Sequence, residues 1–283
     1  LGISTERCAM NKIKFSRLRY ISVFISLFLV SCGNADVSLM IDDALVADHR
    51  TPAFVERDEF RHPKETLLFF GLTTDQSVVE ITPGYGWYTE ILAPIFRDAG
   101  QYYFSSYSLH DDINPFFIRL EKAFKEKMDL NPDVYGQLKW VHFDPKQPDL
   151  APDGPVDMVL TFRNVHNWAK AGTAESMFAG FSRALKPGGI LGLVEHRAKP
   201  GTPLEEQIRS GYMTVDYVVQ MAKKAGFRLD ASSEINANAK DTKDHKGGVW
   251  NLLPNLRNVA DEDKVRISAI GESDRMTLRF VKK

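Results

Sequence analysis

Residues 78–89 have the sequence VVEITPGYGWYT, and this stretch decides the fold. A short apolar run ends in the acid Glu80, a proline and two glycines interrupt it, and apolar residues then recur at helical spacing through Phe96. A strand, a tight glycine turn and a helix in this order are typical of the first unit of a nucleotide-binding α/β domain. The glycines allow a ligand to approach the backbone closely because no Cβ intervenes, although such a turn can also be only a tight connection. Glu80 suits a ligand with a cationic amine better than one with a pyrophosphate.

Further strands and helices are predicted along the chain after this turn. Runs rich in β-branched and aromatic residues predict strands at 100–108, 138–144, 156–162, 190–197 and from Phe227 onward. Amphipathic patterns predict helices at 113–128, 173–185 and 214–225. The alternating segment 275–281 predicts a closing strand that is antiparallel to the others.

Polar residues end the second and third predicted strands. In dinucleotide-binding domains an acid usually ends the second strand and binds the ribose hydroxyls. The matching position here is Ser106, whose hydroxyl can form hydrogen bonds but carries no charge. The third strand ends at Asp144, which precedes Pro145. Asp144 is therefore either a ligand-binding acid or the first residue of a turn.

Residues at the ends of the fourth and fifth strands are candidates for acid–base chemistry. Asn164 and His166 follow the fourth strand, and Glu195, His196 and Arg197 end the fifth. His166 is the best candidate for a general base because imidazole changes its protonation near neutral pH. The structural alternatives are a packed core histidine and a solvent-exposed Glu195–Arg197 ion pair.

The order of these motifs along the chain resembles that in the class I S-adenosylmethionine-dependent methyltransferases. The resemblance covers about residues 74–282 and includes a KPGG motif at 186–189 and a KAGF motif at 224–227. More narrowly, the chain is similar to a bacterial predicted methyltransferase group whose motifs PGxGWYT, TFRNVHNW and VEHR match 83–89, 161–168 and 194–197. The resemblance implies an α/β fold with a Rossmann-like, seven-stranded, mostly parallel sheet, helices on both faces and an antiparallel last strand.

The same resemblance implies methyl transfer from S-adenosylmethionine to an unidentified small-molecule acceptor, without a metal. The residues that it assigns to the cofactor are Glu80, Pro83, Gly84, Tyr85, Gly86, Trp87, Ser106, Asp144 and Arg163. The residues that it assigns to catalysis are Asn164, His166, Glu195 and His196. The alternative is a non-catalytic periplasmic ligand-binding protein of the same fold, which the serine at position 106 favours. A third interpretation is a metal-dependent hydrolase that uses Asp241, Asp244 and His245.

The overall charge argues against nucleic acid as a partner. The chain has 283 residues, is 43% hydrophobic and carries a formal net charge of −1. It can therefore bury a full core, but it lacks the basic excess that is typical of nucleic-acid-binding proteins.

The N-terminal residues are typical of a secretory signal. Residues 10–19 carry four positive charges and no acid, and residues 21–30 are apolar apart from two serines. The segment LVSCG at 29–33 resembles a bacterial lipobox, in which the cysteine, here Cys32, is lipidated. We therefore expect a lipoprotein of the bacterial cell envelope that faces the periplasm, with Met10 as its start. If the signal is not used, the protein is cytoplasmic.

The expected domain organisation has three parts. Residues 1–31 comprise upstream residues and the signal, 32–72 a tether and a helical segment, and 73–283 the methyltransferase-like domain. In the second part, the segment 54–63 contains charged residues that either line the ligand site or form a solvated face: Arg57, Asp58, Arg61 and His62. In the third part, the polar segment 236–249 before Trp250 predicts a lid. The exposed polar residues expected in this lid are Lys240, Asp241, Lys243, Asp244 and His245.

Overall fold

The computed structural model describes residues 36–109 and 114–283. Its helices are α1 (36–45), α2 (Pro52–Val55), α3 (Asp58–Arg61), α4 (Pro63–Phe70), α5 (Thr89–Ile95), α6 (Pro115–Leu130), α7 (Pro132–Tyr135), α8 (Val165–Ala171), α9 (Ala174–Ala184), α10 (Leu204–Ser210), α11 (Val215–Lys224) and α12 (Asp261–Ser268). Its strands are β1 (Ser77–Ile81), β2 (Gln101–Tyr107), β3 (Lys139–Phe143), β4 (Val156–Phe162), β5 (Leu185–His196), β6 (Phe227–Ser233) and β7 (Arg275–Lys282). A short 3-10 helix spans Gly248–Asn251.

The seven strands form one sheet in the order β3-β2-β1-β4-β5-β7-β6. Neighbouring strands from β3 to β5 are parallel, whereas β7 is antiparallel to both β5 and β6. The predicted Rossmann-like, seven-stranded, mostly parallel sheet with an antiparallel last strand is therefore confirmed. The strand order reverses between β1 and β4, and a crevice for a ligand is expected at the carboxyl ends of these two strands.

Helices cover both faces of the sheet because successive strand residues point to opposite sides. On one face, Val79 of β1 belongs to a buried cluster with Phe178 of α9 and Val218 of α11. On the other face, Val78 belongs to a cluster with Leu92 of α5. β1 is thus buried on both sides, which explains why Val78, Val79 and Ile81 are all apolar and fixes the position of the glycine turn that follows the strand.

A buried carboxylate attaches the helical segment before β1 to the rest of the domain. Glu90 of α5 accepts hydrogen bonds from the Thr51 hydroxyl at 2.6 Å and from Arg50 Nε at 3.2 Å. Lys127 of α6 contacts the same carboxylate at 2.5 Å. These contacts join three parts of the chain around the glycine turn, and they hold α2 and α3 near the carboxyl end of the sheet.

The fifth strand begins earlier than the sequence predicts. β5 starts at Leu185, because the KPGG motif is an irregular part of the strand and not a turn before it. The pairing register with β4 shifts between Val156 and Met158, and Gly188 has a φ of 75°. A left-handed residue at such a bulge favours glycine.

The predicted signal and the lipidation site at Cys32 lie outside the described residues. Among the helices within 36–109 and 114–283, none combines the length and the apolar character that crossing a membrane requires.

Candidate functional site

The glycine turn after β1 borders the cleft, and its two glycines serve different purposes. Gly84 has a φ of 66°, and a Cβ added there would meet no atom within 4 Å. Gly86 has a φ of 82°, and a Cβ added there would lie 2.4 Å from Phe124 Cε2 of α6. Gly84 therefore leaves open space over the backbone, whereas Gly86 permits close packing. Thr82 also has a left-handed φ, of 43°, and strain of this kind occurs often at functional sites.

A cavity of about 930 Å³ lies beside this turn and is called here the larger cavity. Its lining includes five of the residues that the sequence assigns to the cofactor: Pro83, Gly84, Tyr85, Ser106 and Asp144. Helix α6 contributes four further residues to its wall, Phe116, Phe117, Leu120 and Glu121. The volume is within the range of sites for cofactors and drug-sized ligands.

Helix α6 supplies a carboxylate at the end of β2, where the sequence has no acid. Ser106 Oγ donates a hydrogen bond to Glu121 Oε2 at 3.3 Å and accepts one from Trp140 Nε1 at 2.8 Å. Glu121 lines the larger cavity, and its Oε1 lies 3.1 Å from His142 Nε2. No sequence pattern indicates this residue, because it is one of several charged positions on an amphipathic helix.

Asp144 begins a turn and also faces the larger cavity, whereas its role in ligand binding remains a prediction. It lines the larger cavity, and its Oδ1 accepts a hydrogen bond from the backbone N–H of Lys146 at 2.8 Å, as in a turn. Within the described part of the chain, no donor contacts its other oxygen, Oδ2. That oxygen can therefore accept a hydrogen bond from a ligand.

A second cavity, of about 450 Å³, adjoins the first at the glycine turn and is called here the smaller cavity. Thr82, Tyr85 and Asn164 are among the residues that line both cavities. The walls of the smaller cavity are partly aromatic, and Tyr88 and Phe162 stack there with ring centroids 3.6 Å apart. Ligands in the two cavities would therefore meet beside the turn.

Asn164 links the ends of β1 and β4 where the cavities join. Its Nδ2 donates a hydrogen bond to the Ile81 carbonyl at 2.9 Å and lies 3.2 Å from Thr161 Oγ1. In the described ranges no donor contacts its Oδ1, so this acceptor is available at the junction.

A buried histidine–carboxylate pair lies at the smaller cavity. His166 Nδ1 lies 3.1 Å from Glu195 Oε1, and the fully buried carboxylate also accepts a hydrogen bond from the His196 N–H at 2.8 Å. Because a carboxylate can only accept hydrogen bonds, the proton of the neutral imidazole is on Nδ1. His166 Nε2 is then free to accept a proton. His196 Nδ1 shares a hydrogen bond with the Ser273 hydroxyl. Burial, followed by the charges of His166 and Arg163, lowers the pKa of His196 well below its usual value, so His196 is neutral at pH 7.

Glu80 is held by protein groups. Its carboxylate accepts hydrogen bonds from Thr89 Oγ1 at 2.8 Å and from the Tyr102 hydroxyl, and the residue is 1% exposed. Burial raises the pKa of Glu80 to about 7, although both hydrogen bonds act in the opposite direction. The residue borders the smaller cavity, and a direct contact between its carboxylate and a cationic amine remains a prediction.

Four arginines line the smaller cavity around one carboxylate, Glu272. Glu272 accepts hydrogen bonds from Arg57 Nε at 2.5 Å, from Arg61 Nε at 3.1 Å and from Arg275 Nη2. The fourth arginine is Arg163, which the sequence assigns to the cofactor but which does not line the larger cavity. No sequence pattern indicates Glu272 and Arg275, because only the antiparallel pairing of β7 with β5 brings them to the cleft.

The predicted site residues are thus divided between the two cavities. Those that line the smaller cavity and not the larger one are Glu80, Trp87, Arg163, His166 and His196. Gly86 and Glu195 line neither cavity. Gly86 packs against Phe124, and Glu195 contacts the cavity residue His166. From the segment before β1, Arg57 and Arg61 line the smaller cavity, whereas Asp58 and His62 do not.

The segment 236–249 does not cover the cavities in the way that the predicted lid requires. None of the five polar residues expected at its surface lines either cavity. The prediction that Asp241 is exposed is wrong: it is 4% exposed and accepts hydrogen bonds from the Tyr212 hydroxyl at 2.9 Å and the Asp274 N–H at 2.8 Å. These donors compensate for burying its charge. Residues within 249–255 line the smaller cavity instead, and the ring of Trp250 lies 6.1 Å from that of His166.

His166, Glu195 and His196 are also a group of possible metal ligands, with candidate ligand atoms within 4.8 Å of one another. Two of these atoms, His166 Nδ1 and Glu195 Oε1, are already joined by a hydrogen bond. The four arginines at the same cavity disfavour a further cation by electrostatic repulsion. In the described ranges, Asp241, Asp244 and His245 do not form such a group.

The fold is similar to that of several solved structures at low sequence identity. An S-adenosylmethionine-dependent methyltransferase from Aquifex aeolicus gives a TM-score of 0.52 at 15% identity, over 82% of this chain and 94% of that one. The glycopeptide N-methyltransferase MtfA in complex with S-adenosylhomocysteine gives 0.50 at 15% identity, over 80% and 90%. The [4+2]-cyclase SpnF gives 0.54 at 14% identity, over 84% of each chain. These similarities show a Rossmann-like fold that occurs in methyltransferases and also in a protein with a different named activity. No protein-family model and no curated protein matches the sequence.

Proposed function

We propose that this chain is an S-adenosylmethionine-dependent methyltransferase that acts on a small-molecule acceptor. One observation carries the proposal: two joined cavities meet at a glycine turn where the strand order reverses, and a histidine–carboxylate pair lies at the second cavity. The larger cavity has the size of a cofactor site, and the smaller one suits a small acceptor. The fold, which is shared with methyltransferases, supports the proposal.

The polar groups of the larger cavity fit S-adenosylmethionine. The open space over Gly84 allows close approach to the backbone, and Glu121 with Ser106 supplies partners for the ribose hydroxyls. Asp144 Oδ2 is an acceptor for the adenine amine. When bound, the cofactor supplies a methyl group on a positively charged sulfur.

His166 is the proposed base for the acceptor. Its Nε2 would accept the proton that the acceptor's hydroxyl, amine or thiol loses on methylation. Glu195 holds the ring in the required tautomer and stabilises the imidazolium that forms. Asn164 Oδ1 and the neutral His196 are further hydrogen-bonding groups that can orient the acceptor between the cavities.

Replacing Glu121 by glutamine is expected to weaken the binding of S-adenosylmethionine by about tenfold, because a hydrogen bond to a charged acceptor becomes one to a neutral amide. Isothermal titration calorimetry with the purified chain measures both affinities. Glu126→Gln is the matched control, since Glu126 lies on the same helix, its side chain is 64% exposed and its ion-pair contact with Lys122 is 4.0 Å long.

The same titration tests the proposed function. If the wild-type chain binds neither S-adenosylmethionine nor S-adenosylhomocysteine at millimolar concentration, the proposal is rejected. If Glu121→Gln and Glu126→Gln bind equally well, Glu121 has no role at the ribose.

A ligand-binding protein without catalysis is the second candidate function. The observation that favours it is the serine at the end of β2, where dinucleotide-binding domains usually have an acid. This candidate requires a ligand in the smaller cavity without S-adenosylmethionine binding in the larger one. The calorimetry described above separates the two candidates.

We further propose that the chain is anchored in the bacterial cell envelope through a lipid on Cys32. The basic and apolar segments before the LVSCG sequence support this proposal. The full chain, expressed with labelled palmitate, is expected to carry label in the membrane fraction, and Cys32→Ala is expected to lose it. Ser26→Ala is the control because it changes the preceding apolar segment and leaves the lipobox-like segment intact. Label that persists in Cys32→Ala contradicts the proposal.

A further inference from the structure

The four arginines at the smaller cavity have few carboxylates as hydrogen-bond partners. Within the described ranges, Glu272 is the one carboxylate that accepts hydrogen bonds from any of them. Three guanidinium groups therefore share one carboxylate, and the fourth, that of Arg163, has no hydrogen-bonded carboxylate among the described residues of this partly aromatic cavity. Like charges this close repel, and the repulsion is relieved when an anion binds among them.

Two of these arginines also have buried nitrogen atoms that lack a hydrogen-bond partner. These atoms are Arg61 Nη2 and Arg275 Nε, and the residues are 3% and 2% exposed. Arg61 Cζ lies 4.6 Å from the ring centroid of Trp87, which packs against the guanidinium but does not accept its in-plane hydrogen bonds. Buried donors are nearly always paired in proteins, so this site is incomplete as the protein alone forms it.

Arg163 provides a third, independent observation. It follows β4 directly and has a left-handed φ of 62°, and its backbone N–H is held by the Val194 carbonyl at 2.7 Å. No described residue accepts a hydrogen bond from its guanidinium group. Desolvation lowers the pKa of Arg163 to about 10, even though Glu272 favours its charged form. A strained residue with a free guanidinium at a cavity is typical of a ligand contact.

We infer that the smaller cavity binds an oxyanion of the methyl acceptor, a carboxylate or a phosphate, through Arg163, Arg61 and Arg275. Guanidinium groups match these anions in charge and in geometry. The aromatic walls suit an apolar body, and His166 at the same cavity lies within reach of the acceptor's reactive atom. That the anion belongs to a methyl acceptor rests on the proposed function; the anion site itself does not.

The carboxylate of S-adenosylmethionine itself is the other possible source of such an anion. All four arginines line the smaller cavity and none lines the larger one, which favours the acceptor. The test must therefore compare anion binding with cofactor binding.

Benzoate and inorganic phosphate are the probes, and benzamide is the neutral control with the shape of benzoate. We expect one of the two anions to bind the wild-type chain in calorimetry, both without cofactor and with saturating S-adenosylhomocysteine, while benzamide does not bind. Arg163→Gln is expected to weaken anion binding by roughly tenfold or more and to leave cofactor affinity unchanged. Arg97→Gln is the matched control, because Arg97 is exposed and paired with Asp98.

Each other outcome has a defined meaning. The inference is overturned if neither anion binds, if benzamide binds as well as benzoate, or if the anion competes with the cofactor. An equal loss of cofactor affinity in Arg163→Gln assigns the arginine to the cofactor carboxylate and overturns it as well. Anion binding in a chain that does not bind S-adenosylmethionine supports the anion site and rejects the methyltransferase proposal. If Arg163→Gln does not fold, Arg163→Lys, which keeps the charge but loses the planar fork, must weaken binding of the same anion.

Discussion

Replacing Glu272 by glutamine is expected to lower the free energy of unfolding by about 3–5 kcal/mol at pH 7. The carboxylate is 2% exposed and accepts hydrogen bonds from Arg57, Arg61 and Arg275. Glutamine has nearly the same volume, but it carries no charge, so the buried guanidinium groups lose their counter-charge. Denaturant unfolding of the two proteins measures the difference. Glu206→Gln is the control, since Glu206 is exposed and pairs with Arg209 on the surface, where ion pairs contribute little.

The difference between wild type and Glu272→Gln should depend on pH with a defined sign. Burial alone would raise the pKa of Glu272, but the arginine charges, led by Arg275, hold it well below the usual 4.5. A carboxyl group whose pKa is lower in the folded state stabilises the fold above its unfolded pKa, and this contribution is lost as the pH falls. The difference between the free energies of unfolding of the two proteins should therefore be largest at pH 7 and should shrink below about pH 4. Equal stability at pH 7, or a difference that grows in acid, contradicts this account.

Replacing His166 by asparagine is expected to lower the rate of methyl transfer by roughly 10²–10⁴-fold and to leave cofactor affinity near that of the wild type. Asparagine keeps a polar side chain but cannot take a proton from the acceptor. His166 lines the smaller cavity and not the larger one, so the cofactor contacts remain. The rate is measured as S-adenosylhomocysteine formation with the low-molecular-weight fraction of source cells as the supply of acceptor.

Two further variants define the role of His166. Glu195→Gln keeps the shape of the partner, but its amide can donate to Nδ1 and favour the opposite tautomer, so the rate should also fall. His62→Asn makes the same chemical change at a residue that lines neither cavity, and its left-handed φ of 40° is tolerated by asparagine. This control should retain the wild-type rate. A His166→Asn protein as fast as wild type would remove His166 from the mechanism.

Local patterns were sufficient to predict most of the sheet and one border of the larger cavity. The segment predicted as the fourth strand, 156–162, is β4 with the same bounds. The glycine turn lies at the cleft because it follows a strand buried on both faces. The predicted start of the fifth strand at residue 190 is wrong, and β5 begins at Leu185. The KPGG motif has the composition of a turn, but pairing with β4 keeps it within the sheet.

Short-range signals in the sequence are enough to place the strands, the helices and the glycine turn: apolar runs, helical periodicity, and glycines that must adopt positive φ angles. Which charged side chains contact one another depends on the folded chain. Glu121 reaches Ser106 from a helix, and Glu272 meets Arg61 across 211 positions of the chain. The structure also decided that Asp241 is buried, because donors from Tyr212 and Asp274 compensate its charge. The physical reason is the same in each case: hydrogen bonding and charge compensation depend on neighbours in space, and local sequence patterns do not specify those neighbours.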